Sequence, residues 1–292
     1  MLKILCIIGP TASGKSSRAV EEALARGGEV ISVDSRQVYR GLDIGTEKVS
    51  REEMRGVPHH LIDIRELEER YSAGDFVQDA TRLVEEISAR GKLPILAGGT
   101  HYYFDALLRG VPPVSPNEEL RKKLEKFSNE ELFKKIKEAD PKRAGELDPA
   151  NRRRLIRALE IIETHGSIPP RPVPTASFPT RLNLDIEWLV IDPPREELRA
   201  RIDARLKSAF ERGLVDEVRR IRELVGDKRL NEFGLEYRVV GEYLSSFAEA
   251  TEDEARRKLL PILSAKLWQF ARHQKAWLRK LIPAASSHPD RS

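Results

Sequence analysis

The chain has 292 residues, 34% of them charged and 40% hydrophobic, and a formal net charge of +4. That is long enough for a sizeable core with a smaller insert, its mild basic excess suits nucleic acid without requiring it, and no run approaches the ~20 apolar residues of a membrane span. A single cysteine, Cys6, excludes an internal disulfide, no Cys/His cluster has zinc spacing, and the apolar run behind Lys3 is too short for a secretion signal, so the reading is a cytoplasmic protein.

Ile4 to Ile8 is a short apolar run broken by Gly9-Pro10, the pattern of a buried strand. Ser16 to Arg26 reads as a helix stopped by Gly27 and Gly28, and Val30 to Val33 as a second strand ending at Asp34. Ser72 to Arg90 is helical, with Phe76, Ala80, Leu83, Val84 and Ile87 on one face, and Leu93 to Ala97 is a third strand before Gly98-Gly99. Such alternation predicts an α/β fold: a parallel sheet with helices on both faces. Proline-rich Val111 to Pro116 marks a boundary, and 117–162 is helical and strongly charged. Ile168 to Pro179 is again proline-rich and reads as an extended loop. Leu184 to Ile191 restores a strand, and Leu198, Ile202, Leu206 and Phe210 line a long helix. The last helix places Leu263, Leu267, Phe270 and Trp277 on one side, with Arg272, Lys275, Arg279 and Lys280 mostly on the other. The predicted organisation is a core from 1–110 and 184–283, an inserted helical domain at 111–183, and a disordered tail at 284–292.

Gly9-Pro10-Thr11-Ala12-Ser13-Gly14-Lys15-Ser16 matches the phosphate-loop pattern G-x-x-x-x-G-K-[ST], with a strand before it and a helix after it. Glycines let backbone N–H groups converge on phosphate oxygens, and the helix N-terminus adds partial positive charge. Lys15 supplies a full charge, and the Ser16 hydroxyl suits a magnesium ion. Nucleotide hydrolases carry an acid on a neighbouring strand, whereas the candidate strand here ends in Gly98-Gly99-Thr100. Asp34 ends a strand where open α/β sheets bind ligands, so it reads either as a base or metal ligand or as a turn residue. Thr100 reads either as a ligand contact or as a helix cap.

Further segments extend the pattern. Asp34-Ser-Arg-Gln-Val-Tyr-Arg-Gly-Leu-Asp-Ile-Gly-Thr-Glu-Lys48 resembles, with the phosphate loop, the opening motifs of bacterial tRNA dimethylallyltransferases, also called tRNA isopentenyltransferases. Pro58 to Ile64, Tyr71 to Phe76, Leu96 to Tyr103, Asn151 to Glu160 and Gln274 to Arg279 continue the resemblance in order over nearly the whole chain. Ser16 stands where threonine is commoner, and Arg272-His273 where a Lys-Arg pair is usual.

The resemblance implies transfer of a dimethylallyl group from dimethylallyl diphosphate to the exocyclic amine of the adenosine 3′ of the anticodon in tRNA. By it, Asp34 is the general base, with Thr100 and Lys15 beside it in catalysis. Gly9, Pro10, Thr11, Ala12, Ser13, Gly14, Lys15 and Ser16 hold the diphosphate, with Arg205 a further phosphate contact, and Ser16 ligates Mg2+. Asp34, Ser35, Arg36, Gln37, Thr100 and Arg121 contact the tRNA, and Arg153, Arg154, Leu155, Ile156 and Arg157 grip its anticodon stem-loop. The spacing of Arg153, Arg154 and Arg157 by itself allows one shared phosphate-facing side or a merely solvated helix face. No membrane partner is expected, and the oligomeric state is read as a monomer. The rival readings are a small-molecule kinase using ATP, an adenine-nucleotide isopentenyltransferase, and a non-catalytic RNA-binding protein.

Overall fold

The computed structural model describes residues 1–110, 117–166, 184–247 and 251–281. The two proline-rich segments, 111–116 and 168–179, and the tail at 284–292 anticipated from the sequence lie outside them. The chain divides into two compact units: Met1–Leu108 with Phe178–Ser292, and Arg109–Ser177.

The first unit is built on a five-stranded sheet in the order β3-β2-β4-β1-β5, with every pair parallel. The strands are β1 Leu2–Ile8, β2 Gly28–Ser32, β3 His59–His60, β4 Leu93–Gly98 and β5 Leu184–Val190. Ile4 to Ile8 is buried throughout, as a central parallel strand covered on both faces must be. The apolar pattern located four of these strands. The fifth, β3, is two histidines long and carries no hydrophobic signature. β2 starts two residues earlier than the apolar run suggests, because Gly28 already pairs with Leu93.

Helix α1 (Lys15–Arg26) follows β1 and stops at Gly27, which takes a left-handed conformation. Helix α2 (Arg51–Met54) and helix α3 (Ala73–Ala89) each open with a reciprocal capping box, from Ser50 with Glu53 and Ser72 with Asp75. These satisfy amide groups that a helix start leaves without partners. Helix α4 (His101–Arg109) follows β4. In the second unit, α5 (Glu118–Leu124), α6 (Asn129–Ala139), α7 (Pro141–Ala144) and α8 (Arg152–His165) enclose their own core, which includes Leu132, Ile136, Leu155 and Leu159. Back in the first unit run α9 (Arg195–Glu211), α10 (Leu214–Leu230), α11 (Leu235–Ser246) and α12 (Glu252–Leu281). Leu198, Ile202, Leu206 and Phe210 of α9 are all buried, as their spacing requires.

The last helix corrects the sequence reading. Its buried stripe runs Leu259, Leu263, Leu267, Ala271, Gln274 and Leu278, whereas Phe270 is 49% exposed. A bulky aromatic attracted the assignment, but the helical period puts small Ala271 and polar Gln274 inside.

Strand order sets up the site. Because β4 lies between β1 and β2, the three C-terminal ends are neighbours, and ligands bind beyond such ends in open parallel sheets. Val33 donates its amide to Ala97 (2.8 Å), and Thr100 donates its amide to the Val33 carbonyl (3.2 Å). Gly98 sits under that carbonyl, and a Cβ there would collide with Val33 backbone atoms. Gly98→Ala is therefore expected to destabilise the protein by about 2–3 kcal/mol through overpacking against backbone. A urea midpoint unchanged from wild type would contradict this close approach.

Candidate active site

The loop after β1 turns back over the strand end. Gly14 (φ +92°) and Ala12 (φ +60°) adopt left-handed conformations, and Ser13 is buried. Lys15 Nζ donates to the Pro10 carbonyl at 2.5 Å and lies 3.4 Å from Ser13 Oγ. Burial pushes the Lys15 ammonium down to about pKa 8; the Asp34 carboxylate opposes that shift and Arg205 adds to it. The phosphate-loop lysine and the candidate base are thus electrostatically coupled.

Asp34 is a turn residue that lies at the candidate site. Its Oδ1 accepts the amides of Arg36 (2.8 Å) and Gln37 (3.2 Å), which fixes the carboxylate, while Oδ2 takes no hydrogen bond from any described residue. Thr100 does not spend its hydroxyl on capping α4. Its Oγ1 accepts the Ser35 amide (3.1 Å), tying the β4 end to the β2 end.

Arg205 reaches the loop from α9, donating to the Thr11 hydroxyl. It also pairs with Glu236 (2.7 Å) and lies 3.7 Å from Glu47. Burial raises the Glu236 carboxyl, and Arg205 works against that rise. The structure brings Gly9 to Ser16, Asp34, Thr100 and Arg205 to one rim. Gln37 is there too, but its side chain is engaged with Ser32 (3.1 Å) and with the carbonyls of Thr46 and Glu47 (both 3.2 Å), so it braces the 46–47 turn. Ser35 and Arg36 are partly exposed beside it.

Three neighbours were missed as site residues. Gln274 is 5% exposed; its Oε1 accepts the Thr11 amide (2.8 Å) and its Nε2 donates to the Gly99 carbonyl (3.0 Å). A glutamine interrupting an apolar stripe was the available signal. Arg201, one turn before Arg205, donates to the Ser13 carbonyl (3.0 Å). Glu217 accepts the amides of Asp43 (3.1 Å), Ile44 (2.8 Å) and Gly45 (3.0 Å) and the Tyr237 hydroxyl (2.6 Å), which offsets the cost of burying its charge.

The second unit sorts its basic residues. Glu160 is 1% exposed and pairs with Arg121 (2.7 Å) and Arg157 (3.2 Å), and it also accepts the Asn117 amide (3.0 Å). Burial pushes its carboxyl up, but these partners, Arg121 foremost, hold it below the usual carboxylate range. Leu155, expected at the RNA, is fully buried in the unit's core, so its side chain is withdrawn from any ligand. Ile156 is half-buried, while Arg153 and Arg154 are exposed.

The sequence model of the IPP transferase family matches residues 37–281, well over half of the chain. The chain belongs to this family. A tRNA dimethylallyltransferase of Thermomicrobium roseum is 43% identical over 95% of this chain and 84% of its own length. One from Roseiflexus sp. is 40% identical over 98% and 95%. Among solved structures, a tRNA isopentenylpyrophosphate transferase of Bacillus halodurans has a TM-score of 0.66 at 37% identity, covering 96% of this chain and 87% of that one. A eukaryotic dimethylallyltransferase acting on tRNA has a TM-score of 0.75 at 26% identity, covering 95% and 70%. The family match begins at Gln37, so the anion loop ahead of it stands on its own motif and geometry.

The depressed Lys15 gives this family member a measurable signature. A polyanion bound against Lys15 favours the charged ammonium, so the expected Lys15 share of diphosphate binding near pH 8 is an uptake of protons, and that share of the affinity falls as pH rises through that value. Calorimetry in two buffers of different ionisation enthalpy should show this uptake in wild type and lose the Lys15 share in Lys15→Arg. Equal uptake in both proteins would contradict the assignment.

Proposed function

We propose that this protein transfers the dimethylallyl group of dimethylallyl diphosphate to the N6 amine of the adenosine 3′-adjacent to the anticodon of tRNA, releasing diphosphate. The observation that carries this reading is the succession of neighbouring strand ends. β1 bears the anion loop with Lys15, β4 bears Thr100, and β2 bears Asp34, in a chain 43% identical to a tRNA dimethylallyltransferase. An anion cradle beside a fixed carboxylate suits an anionic leaving group and a nucleophile that must lose a proton.

The adenine amine is a poor nucleophile because its lone pair is delocalised into the ring. As that pair forms the new C–N bond to the allylic carbon, the C–O bond breaks and its electrons leave on the diphosphate. Asp34, held through Oδ1 by two amides, takes the N6 proton on Oδ2. Lys15 and the loop amides stabilise the charge that grows on the diphosphate. Arg201 and Arg205 brace the loop through the Ser13 carbonyl and the Thr11 hydroxyl.

Ser16, exposed on the first turn of α1, is the protein ligand for Mg2+ in this reading. Among the described residues no group of three or more His, Cys, Asp or Glu could hold a metal. One hydroxyl with diphosphate oxygens and water is a donor set that magnesium accepts. When bound, the ion neutralises charge on the leaving group.

For the tRNA, the first turn of α8 is the favoured contact. It holds Arg152, Arg153 and Arg154 and no acidic residue, although cations are disfavoured at a helix N-terminus. Arg152 braces the unit through Asn129 (3.1 Å) and the Glu125 carbonyl (2.7 Å). Exposed Arg153 and Arg154 weaken the helix start, a cost that contact with phosphates would reverse. Arg121 and Arg157 contribute less, because Glu160 already offsets their charge. No helix among the described residues is long and apolar enough to cross a membrane; a cytoplasmic location and a monomeric state belong to this same reading.

Incubation with unmodified tRNA and either dimethylallyl diphosphate or ATP, followed by nucleoside mass analysis, tests the reading. A gain of one prenyl mass on adenosine is expected with the allylic donor. Phosphoryl transfer from ATP without prenylation would reject it. Asp34→Asn, which keeps the Oδ1 turn, should lower the single-turnover rate by about 10²–10⁴-fold while leaving diphosphate affinity near wild type. Joint replacement of Arg153 and Arg154 by Ala should weaken tRNA binding and reduce its log–log salt slope by roughly 1.4, taking about 0.7 per single-strand phosphate contact. An unaltered slope would make that turn a bystander.

A further inference from the structure

The residue after Thr100 has an unusual position. His101 is 8% exposed, and its Nε2 is buried without a hydrogen-bond partner. Only Ser88 Oγ and Arg143 Nε share that condition among the described residues: Ser88 is on the last turn of α3, and Arg143 is in the second unit. A buried polar atom left unsatisfied costs about 1–3 kcal/mol, so one next to a candidate ligand site calls for a partner.

The plane of the ring is fixed by a neighbouring aromatic. It stacks on Trp277 with centroids 4.7 Å apart and planes 10° from parallel. Trp277 lies one turn beyond Gln274 on α12, so two side chains of that helix clamp the β4–α4 junction, Gln274 at Gly99 and Trp277 at His101. Lys15 is close by: its Nζ lies 3.8 Å from where a Cβ on Gly99 would stand. Burial first, and the Lys15 charge second, push His101 down to about pKa 4, so the imidazole is neutral at ordinary pH. A neutral imidazole carries one N–H, and it donates without adding a second cation beside Lys15.

We propose that His101 is a further catalytic residue, donating a hydrogen bond from Nε2–H to a non-bridging oxygen of the diphosphate alongside Lys15. The contact strengthens as negative charge accumulates on the leaving group, so it acts on the chemical step more than on tRNA binding. Trp277 is the positioning residue that keeps the ring turned to this task. The proposal rests on the donor reading given above.

Two measurements test it. In wild-type protein labelled with 15N-histidine, the His101 ring signals, identified by their loss in His101→Phe, should shift when Mg2+ and inorganic diphosphate are added. They should not shift with an anticodon stem-loop alone. Separately, His101→Phe keeps an aromatic ring against Trp277 but has no donor; it should lower kcat for prenyl transfer by about 10²-fold with KM for tRNA near wild type, and His101→Gln should recover part of the loss. A ring that responds only to the RNA would overturn the proposal, as would a His101→Phe enzyme with wild-type kcat. If His101→Phe fails to fold, the loss of the same signals in His101→Gln identifies them, and the wild-type titration decides. If wild-type protein transfers no prenyl group, the donor reading fails, and the diphosphate titration still judges His101.

Discussion

The backbone pairing between the ends of β2 and β4 is the constraint on which the site depends. Val33 bonds to Ala97, Thr100 bonds back to Val33, and Thr100 Oγ1 then takes the Ser35 amide. These contacts place Asp34 and Thr100 on adjacent loops with little freedom. β1 pairs with the other edge of β4, from Leu5 opposite Ile95 to Ile8 opposite Gly98, so the anion loop joins the same rim. Side chains are positioned here by hydrogen bonds between main-chain groups, which are stiffer than loop side-chain contacts and suit chemistry that needs fixed distances.

Around that frame the charges are balanced rather than simply accumulated. Arg205 meets Glu236 and Glu47, and Arg212 also pairs with Glu47. Glu217 stabilises three successive amides of the 43–45 turn. Lys48 bridges Asp43 and Asp63, both at 2.6 Å. The loop carrying the long motif from Asp34 to Lys48 is thus pinned by hydrogen bonds at its start and by ion pairs at its end. Lys15 stands apart: among the described residues it bonds only to oxygens of its own loop, and burial depresses its pKa.

Many residues of the candidate site were legible because their chemistry has a local grammar. A glycine-rich turn between strand and helix announces an anion site, and an Asp ending an apolar run announces a rim position. The misreadings were of another kind. Leu155 belonged to a basic run, and its neighbours suggested a surface role, yet the helical period turned it into the core. For Arg121 the sequence did not show its partner, Glu160, 39 positions away. Phe270 was placed inside on size, and Gln274 was passed over on polarity. For Leu155, Phe270 and Gln274 the helical period decided the outcome, and for Arg121 a partner distant in sequence did.

The amino-acid order alone determined the alternation of strand and helix, the anion loop, the rim carboxylate and the insertion of a charged helical segment. Each follows from short-range rules of period, turn chemistry and backbone freedom. Only the tertiary structure decided which strand lies between which. It also decided that Gln274 joins the anion loop to Gly99, that Glu160 binds two of the arginines, and that His101 Nε2 is buried without a partner. Those outcomes depend on burial and on pairings that, apart from Arg157 with Glu160 one helical turn away, cross stretches of chain too long for any local window of sequence to contain both members.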